Sequence, residues 1–348
     1  MSANRSGKRV KKERTLRKTS SNLDVLFIQF RAIKKSEGRA EGTIEQYENN
    51  YGFFIEYLDR HKIARSINEI NRDVIRRYIV YMKDEWVKFE DHAFKKERHM
   101  TKGLAPSTIN TRLKTLRVFF KTLHDEGLIE TNPMYGIKNV NEPEEEIIIL
   151  DEEELRILFA APNQRDYADF RDYVLMNVLL DGMMRISEAL GLRTENFDFK
   201  GCSLYIPAPI AKNRKARTVP IEFGTAKLLN ELITENKADF DSDYLFLANY
   251  GEPLTRDHFR KRLVEYAKEV GIKKRVHPHL FRHTAATMYL EAGGDIRHLQ
   301  MLLGHSDLRM VMRYTHLSGR SLTEQHDKYS AINAVRKKLN KQRKLKRR

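Results

Sequence analysis

The feature that most constrains the fold is a short acidic segment, residues 138–150, which divides the 348-residue chain into two unlike halves. It contains Pro143 and the run Glu144–Glu146, and its apolar residues show no helical or strand period. Proline and runs of like charge are typical of connections between structured regions. We therefore predict a linker here, between a helical domain at 19–137 and a second domain at 151–331.

Apolar residues at helical spacing dominate the first half. The clearest set is Leu23, Leu26, Phe27 and Phe30. Two helix starts are also predicted, one from a capping box formed by Thr43 and Gln46 and one from Ser107 as an N-cap. This half is therefore expected to be a helix bundle.

The helix predicted after Ser107 carries basic residues away from its apolar side. They are Arg112, Lys114, Arg117 and Lys121. A solvated surface and a face that follows DNA phosphates both explain such a stripe. We treat the four residues as candidate DNA contacts and leave the two explanations open.

The second half mixes helices and strands. One buried helix is predicted over Tyr173–Leu192, and two strands over Ser203–Ile206 and Arg217–Ile221. The remaining predicted helices are Glu152–Phe159, Lys227–Glu235, Arg256–Val270, Pro278–Glu291, Asp295–Leu303 and Leu308–Thr315. Asp151 and Glu154 form the start signal of the first of them. Helices followed by helices around a small sheet indicate a mainly α protein with a small antiparallel sheet, of the α+β class.

Composition excludes several classes of protein. Apolar residues make up 41% of the chain, which excludes global disorder, and the single cysteine, Cys202, excludes a disulfide scaffold. No apolar run approaches the roughly 18 residues of a membrane span, and no apolar segment follows the basic N-terminus as in a signal peptide. We expect a cytoplasmic protein with no membrane partner.

The net charge of +16 is concentrated in two basic tails, residues 1–18 and 332–348. Solvated disorder explains such tails, and they also attract nucleic acid without sequence specificity. Specific DNA binding would have to come from charges within the two domains.

Six histidines between residues 277 and 316 raise the question of a metal site. His279 and His283 are four residues apart, as in zinc proteases, but Leu280 stands where those enzymes carry a catalytic glutamate. Arg282 beside them would also oppose a cation. We therefore predict no metal and no other cofactor.

An anion site explains the same residues better. Pro278 suits the first position of a helix, which places His279 and Arg282 on one face of its first turn. A helix start, an imidazole and a guanidinium together bind anions. Arg185 lies in an apolar segment where a lone guanidinium is costly, and Glu188 is its expected partner.

Together these segments resemble the tyrosine recombinases, or phage-integrase family, of the Xer-like or mobile-element type. The matching segments are GMMRISEALGL at 182–192, AKNRKARTVP at 211–220, HPHLFRHTAAT at 277–287, LLGHSD at 302–307 and RYTHL at 313–317. The first half is similar to the core-binding domain of that family. One position departs from the pattern, because Met183 stands where the family usually has glycine.

The resemblance implies a DNA recombinase that forms a 3′-phosphotyrosyl intermediate. It implies the catalytic residues Arg185, Lys212, His279, Arg282, His305 and Tyr314. Glu188 and His283 would orient the arginines, and Arg214 and Lys215 would contact DNA beside Lys212.

The resemblance also implies partners. We expect double-stranded DNA with paired inverted core sites, a homotetramer on two duplexes, and a monomer or weak oligomer without DNA. Accessory proteins and association with the nucleoid are further expectations. Two alternatives stay open, namely a DNA-binding regulator with weak or no cleavage and a type IB topoisomerase.

Overall fold

The computed structural model describes residues 20–88, 101–143, 147–304 and 307–314, together with residue 326 and residues 330–332. The chain forms two compact units, residues 1–144 and 145–348. The structure is mainly helical with one small antiparallel sheet, which confirms the predicted α+β class. Within the described residues, no helix combines the length and the apolar character that crossing a bilayer requires.

The first unit is a helix bundle with an aromatic core. Its helices are α1 (Leu23–Ser36), α2 (Glu41–Arg60), α3 (Arg72–Val80) and α4 (Pro106–Asp125). The four apolar residues predicted to share a face of α1 are all buried. Phe27 and Phe30 both pack edge-on against Phe119 of α4, with ring centroids 5.6 and 5.3 Å apart, so α1 is fixed by aromatic contacts.

Both predicted helix starts in this unit are wrong. α2 begins at Glu41, so Thr43 and Gln46 lie inside the helix and form no capping box. α4 begins at Pro106 with Ala105 as its N-cap, one residue before Ser107. Proline needs no partner for a backbone N–H and has helical φ already, so it takes the first position without a polar cap.

The second unit places helices around a three-stranded sheet. The strands are β1 (Phe197–Asp198), β2 (Ser203–Ile206) and β3 (Arg217–Pro220). The helices are α5 (Glu152–Ala160), α6 (Tyr167–Asp181), α7 (Ile186–Leu190), α8 (Phe223–Asp239), α9 (Arg256–Glu269), α10 (Pro278–Glu291), α11 (Ile296–Leu303) and α12 (Arg309–Met312).

The sheet is fully antiparallel, in the order β1-β2-β3. Leu204 of β2 is paired with Val219 of β3, and both side chains are buried in the core. Sequence analysis missed β1, because two residues are too few to show a strand period. The predicted start at Asp151 is confirmed as a full capping box with Glu154.

Residues on each side of 144–146 form hydrogen bonds within the unit to which they belong. The Asn110 side chain accepts from the Val140 amide at 2.8 Å and donates to the Val140 carbonyl at 2.9 Å. The Leu150 amide donates to the Thr284 hydroxyl at 3.0 Å. The predicted limits of the linker at 138–150 and of the two domains stay a prediction.

The single helix predicted over Tyr173–Leu192 is wrong, because the chain breaks between α6 and α7. Met183 lies in the break with φ +48°, a left-handed conformation that ends a helix. This is the position where the resemblance expects glycine, the residue that adopts such a conformation without strain. The Met183 side chain is buried in a small cluster with Leu299, Leu303 and Tyr314.

The free energy of unfolding of Met183→Gly is expected to be about 1 kcal/mol higher than that of Met183→Ala. Alanine is strained in the left-handed conformation at this position, whereas glycine is not. Both variants lose the same buried side chain, so the comparison isolates the backbone. Calorimetry of the full chain measures the difference. The same pair at Glu231, within α8, is the control and should favour alanine. A more stable alanine variant at 183 would contradict the strain.

Candidate active site

The break between α6 and α7 places the first candidate residue. Arg185 is the N-cap of α7, and Glu188 is the third residue of that helix. The Glu188 carboxylate accepts from the Arg185 amide at 3.1 Å and from its Nη1 at 2.9 Å. The predicted ion pair is present, and it holds the guanidinium at the start of the helix.

Glu188 has a second partner, Arg217 of β3, which sequence analysis missed. Arg217 Nη2 lies 2.7 Å from Glu188 Oε2, and the carboxylate is completely buried. Burial alone would raise the pKa of Glu188, but hydrogen bonds from Arg217 and the Arg185 amide outweigh it and lower the pKa to about 2. Glu188 is therefore ionised, and it joins two cations from different elements.

Arg282 lies in the first turn of α10 and is 4% exposed. Its Nη1 donates to the Met183 carbonyl at 2.7 Å, and its Nη2 donates to the Leu303 carbonyl at 2.6 Å. Burial and the nearby charge of Arg185 lower its pKa to about 10, which leaves it protonated at neutral pH. Arg282 thus fixes the α6–α7 break and the end of α11 to α10.

Tyr314 lies in the same region, and its phenol contacts His283. The hydroxyl oxygen is 2.9 Å from His283 Nδ1, and Tyr314 is 3% exposed. Burial raises the pKa of Tyr314, although Arg282, Arg313 and Arg185 act in the opposite direction. The phenol is therefore protonated at neutral pH.

His283 is neutral beside this phenol. Burial and the neighbouring charges of His279 and Arg313 lower its pKa to about 4. In the tautomer of this neutral imidazole with its proton on Nε2, Nδ1 accepts from the phenol, and in the other tautomer Nδ1 donates to the phenol oxygen. Sequence analysis assigned His283 to the arginines, whereas its contact in the structure is with Tyr314.

His279 lies one helical turn before His283 on α10. Its pKa is lowered by burial and by the charges of Arg282, His277, Arg185 and Lys212. Lys212 is exposed on the loop between β2 and β3, as are Arg214 and Lys215. His305 lies outside the described residues. The charges of Arg185, Lys212 and Arg282 act on His279, and those of Arg185 and Arg282 act on Tyr314. These five predicted catalytic residues therefore lie in one region of the second unit.

The four candidate DNA contacts on α4 differ in their surroundings. Lys114 and Lys121 are exposed, while Arg117 donates to the Ile137 carbonyl and to Asn139. Arg112 lies over the Phe53 ring, 3.6 Å from its centroid, and burial lowers its pKa. Arg112 is thus a packing residue of the first unit in this structure.

Comparison with known proteins finds relatives that match most of the chain. Residues 149–320 match the phage integrase family, and residues 25–140 match the phage integrase SAM-like domain. Tyrosine recombinase XerD of Lacticaseibacillus casei is 30% identical over 286 residues, which cover 79% of this chain and 96% of the relative. Tyrosine recombinase XerD of Listeria monocytogenes is 26% identical over 297 residues, covering 84% and 93%.

Solved structures share the fold. The Tn1549 transposon integrase in complex with a circular intermediate DNA superposes with a TM-score of 0.66 at 20% identity, covering 92% of this chain and 100% of that one. XerH site-specific recombinase bound to a palindromic difH substrate gives a TM-score of 0.63 at 21% identity, covering 89% and 83%.

Fold, site and sequence matches together define a tyrosine recombinase. The chain belongs to the phage integrase family, which confirms the resemblance drawn from the sequence. The relatives compared above are recombinases by name, and they do not favour a non-cleaving regulator or a type IB topoisomerase.

Glu188→Gln is expected to lower the free energy of unfolding by about 3 kcal/mol at pH 7, because it leaves two partly buried arginines without their buried anion. The folded-state pKa of Glu188 is depressed, so its charge stabilises the fold above the ordinary pKa of 4.5. That contribution is lost as the pH falls from 4.5 towards 2. Denaturant unfolding at several pH values should show the difference between the proteins narrowing over this range.

Glu153→Gln is the matched control, since Glu153 pairs with Arg156 on the surface. Exposed ion pairs contribute little to stability, so the free energy of unfolding of this variant should match that of the parent within experimental error. Equal effects of the two substitutions would show that the buried carboxylate has no special role in stability.

Proposed function

We propose that this recombinase cleaves and rejoins specific DNA sites, with Tyr314 as the nucleophile. The observation that carries the proposal is the position of the Tyr314 phenol, which is hydrogen-bonded to His283 and lies in the field of Arg185 and Arg282. A nucleophile next to a hydrogen-bond acceptor and two fixed cations suits attack on an anionic phosphodiester.

The proposed step exchanges one phosphodiester for another. The Tyr314 oxygen attacks phosphorus, the bond from phosphorus to the 5′ oxygen breaks, and a 3′-phosphotyrosyl link forms. The phenol proton passes to a base, and a second proton passes to the leaving 5′ oxygen, which becomes a hydroxyl. Attack by the 5′-hydroxyl of another strand reverses the step and joins new partners.

Each remaining candidate residue has a proposed role. Arg185 and Arg282 neutralise the charge that develops on the non-bridging oxygens, because guanidinium groups stay protonated at cellular pH. Lys212 gives the proton to the 5′ oxygen, and His305 donates to a phosphate oxygen. The sequence predicts His279 as the acid/base group that activates the phenol, but the phenol contacts His283 in the structure. His283 is therefore the proposed acceptor of the phenol proton, and His279 is proposed as a further acid/base group of the site.

The chemistry needs neither nucleotide nor metal. The phosphotyrosyl link keeps the energy of the broken phosphodiester, so rejoining needs no ATP. The two arginines supply the positive charge that a metal ion supplies in other phosphoryl-transfer enzymes.

The partner is double-stranded DNA with paired inverted core sites. The Tn1549 integrase and XerH were solved with DNA, and this chain shares their fold. In our proposal the helical domain at 19–137 and the catalytic domain at 151–331 both contact the duplex, and the linker at 138–150 joins them. Lys114, Arg117, Lys121, Arg214 and Lys215 are the proposed phosphate contacts.

Recombination joins two duplexes, so we propose a homotetramer on DNA and a monomer or weak oligomer without it. Residues after Tyr314, especially Ile332–Leu339, are the proposed contact with a neighbouring protomer, and all of this stretch except Ile332 lies outside the described residues. The biological role we propose is integration, excision or resolution of a mobile element or plasmid, in the cytoplasm and near the nucleoid, with accessory proteins as possible partners. Inverted repeats of roughly 10–13 base pairs in the DNA flanking the gene would mark the target.

A suicide duplex tests the reaction. A site is first recovered by binding selection from a random-sequence pool. A nick a few nucleotides to the 3′ side of the scissile phosphate then lets the short fragment with the freed 5′-hydroxyl diffuse away. We expect a covalent protein–DNA band that persists in EDTA and is lost in Tyr314→Phe. A band that survives in Tyr314→Phe, or that disappears on chelation, would overturn the proposed chemistry.

Lys114→Ala is expected to weaken binding about equally for all sequences and to reduce the slope of log K against log salt by about 0.9, because one phosphate contact is lost. Arg112→Ala, on the same helix, should leave this slope unchanged and lower the unfolding temperature of the first unit. Binding titrations between roughly 50 and 200 mM salt measure the slope, because phosphate contacts weaken strongly over this range. If instead Arg112→Ala reduced the slope and Lys114→Ala left it unchanged, the DNA would lie on the other side of α4.

A further inference from the structure

The last carbonyls of α11 meet donors from three different elements. Carbonyl groups at the end of a helix have no partner within the helix and need one elsewhere. The Leu302 carbonyl accepts from Arg217 Nε at 3.2 Å, and the Leu303 carbonyl accepts from Arg282 Nη2 at 2.6 Å. The Gly304 carbonyl accepts from Asn213 Nδ2 at 3.0 Å.

The C-terminal end of α11 packs tightly against the Arg217 side chain. Gly304 has φ +61°, and a Cβ added there would lie 2.9 Å from Arg217 Nη1. Gly304 ends α11, and Tyr314 follows it by ten residues in the sequence. The three donors therefore set where the segment that carries the nucleophile leaves α11.

Asn213 differs from the other two donors because it belongs to the loop that carries Lys212. Its Oδ1 accepts from the Lys215 amide at 3.2 Å, while its Nδ2 reaches Gly304. One end of the amide thus closes the turn of the loop, and the other end ties that turn to α11.

A backbone turn closes the loop at Lys212, since the Arg214 amide donates to the Ala211 carbonyl at 2.9 Å. Ala211 is buried in the core, but Lys212, Arg214 and Lys215 are exposed, and Arg214 has φ +54°. An exposed lysine has several flexible torsions, so its ammonium reaches one place only if the backbone beneath it is held. The bond from Asn213 to Gly304 ties this turn to α11.

We infer that Asn213 is a positioning residue that registers the Lys212 loop against the segment carrying Tyr314. The inference rests on the proposed function, in which Lys212 gives a proton to the 5′ oxygen as its bond to phosphorus breaks. Loss of the bond between Asn213 and Gly304 should impair this proton transfer and leave the attack by Tyr314 intact.

A substrate with sulfur in place of the bridging 5′ oxygen separates the two steps. A thiolate is a far weaker base than an alkoxide, with a thiol pKa of about 8.5, and it leaves without receiving a proton. A variant that fails only in proton donation is therefore slow on the oxygen substrate and normal on the sulfur substrate.

The experiment measures single-turnover cleavage of the selected suicide duplex in both forms. Asn213→Asp keeps the acceptor that closes the turn and replaces the donor with a charge that repels the Gly304 carbonyl. We expect it to slow cleavage of the oxygen substrate at least about tenfold, a fraction of what general acids contribute. On the sulfur substrate its rate should stay within about twofold of the parent. Asn213→Ala, which loses both contacts, should behave in the same way.

Three reference variants calibrate the assay. Lys212→Ala should slow only the oxygen substrate, and His283→Phe, which acts on the nucleophile, should slow both. Asn230→Ala, at an exposed position of α8, should slow neither. Thermal unfolding of each variant shows whether it is folded.

The inference is wrong if folded Asn213→Asp slows both substrates equally or leaves both unchanged. Failure of the proposed function gives a different result, since the parent protein would then form no Tyr314 adduct with either substrate. The two failures are therefore distinguishable in one set of reactions.

Discussion

The buried carboxylate of Glu188 is the interaction on which the site depends. It holds Arg185 at the start of α7 and Arg217 on β3, so a helix and a sheet share one anion. Arg217 in turn donates to the end of α11, where Arg282 also binds. A single negative charge thus allows three arginines to lie close together, an arrangement that their mutual repulsion would otherwise oppose. The net positive field that results is what a phosphate would meet.

Backbone carbonyls are the other half of this arrangement. Arg282 donates to the Met183 and Leu303 carbonyls, and neither acceptor is a charged group. The two carbonyls therefore fix where the positive charge of Arg282 lies. In the proposed function, a charge fixed in this way is effective for transition-state stabilisation because it does not have to reorganise during the reaction.

Much of the fold follows from local sequence signals. The Asp151 capping box, Pro278 at a helix start and the apolar face from Leu23 to Phe30 are short-range patterns, and each has its predicted place. The α6–α7 break was missed because Met183 gives no sign of a left-handed residue. A glycine there would have marked the end of the helix.

The candidate site was found through the family motifs, and its contacts were less predictable. Arg217 was missed because its partner, Glu188, is 29 residues away and already had Arg185 as an expected partner. Glu188 itself was a signal for a second partner, since an acid in an apolar segment commonly needs more than one hydrogen-bond donor. The contact between His283 and Tyr314 joins residues 31 apart and depends on how α10 and α12 pack, which no local pattern records.

The burial of Tyr314 also bears on the safety of the genome. An enzyme that breaks DNA backbones is hazardous if its nucleophile is open to any duplex that collides with it. Here Tyr314 is buried in a cluster with Met183, Leu299 and Leu303, and its phenol is hydrogen-bonded to an uncharged imidazole. In the proposed function, where Tyr314 is the nucleophile, a duplex that collides with the protein would meet basic side chains and no accessible phenol, so a chance encounter would leave the DNA uncut.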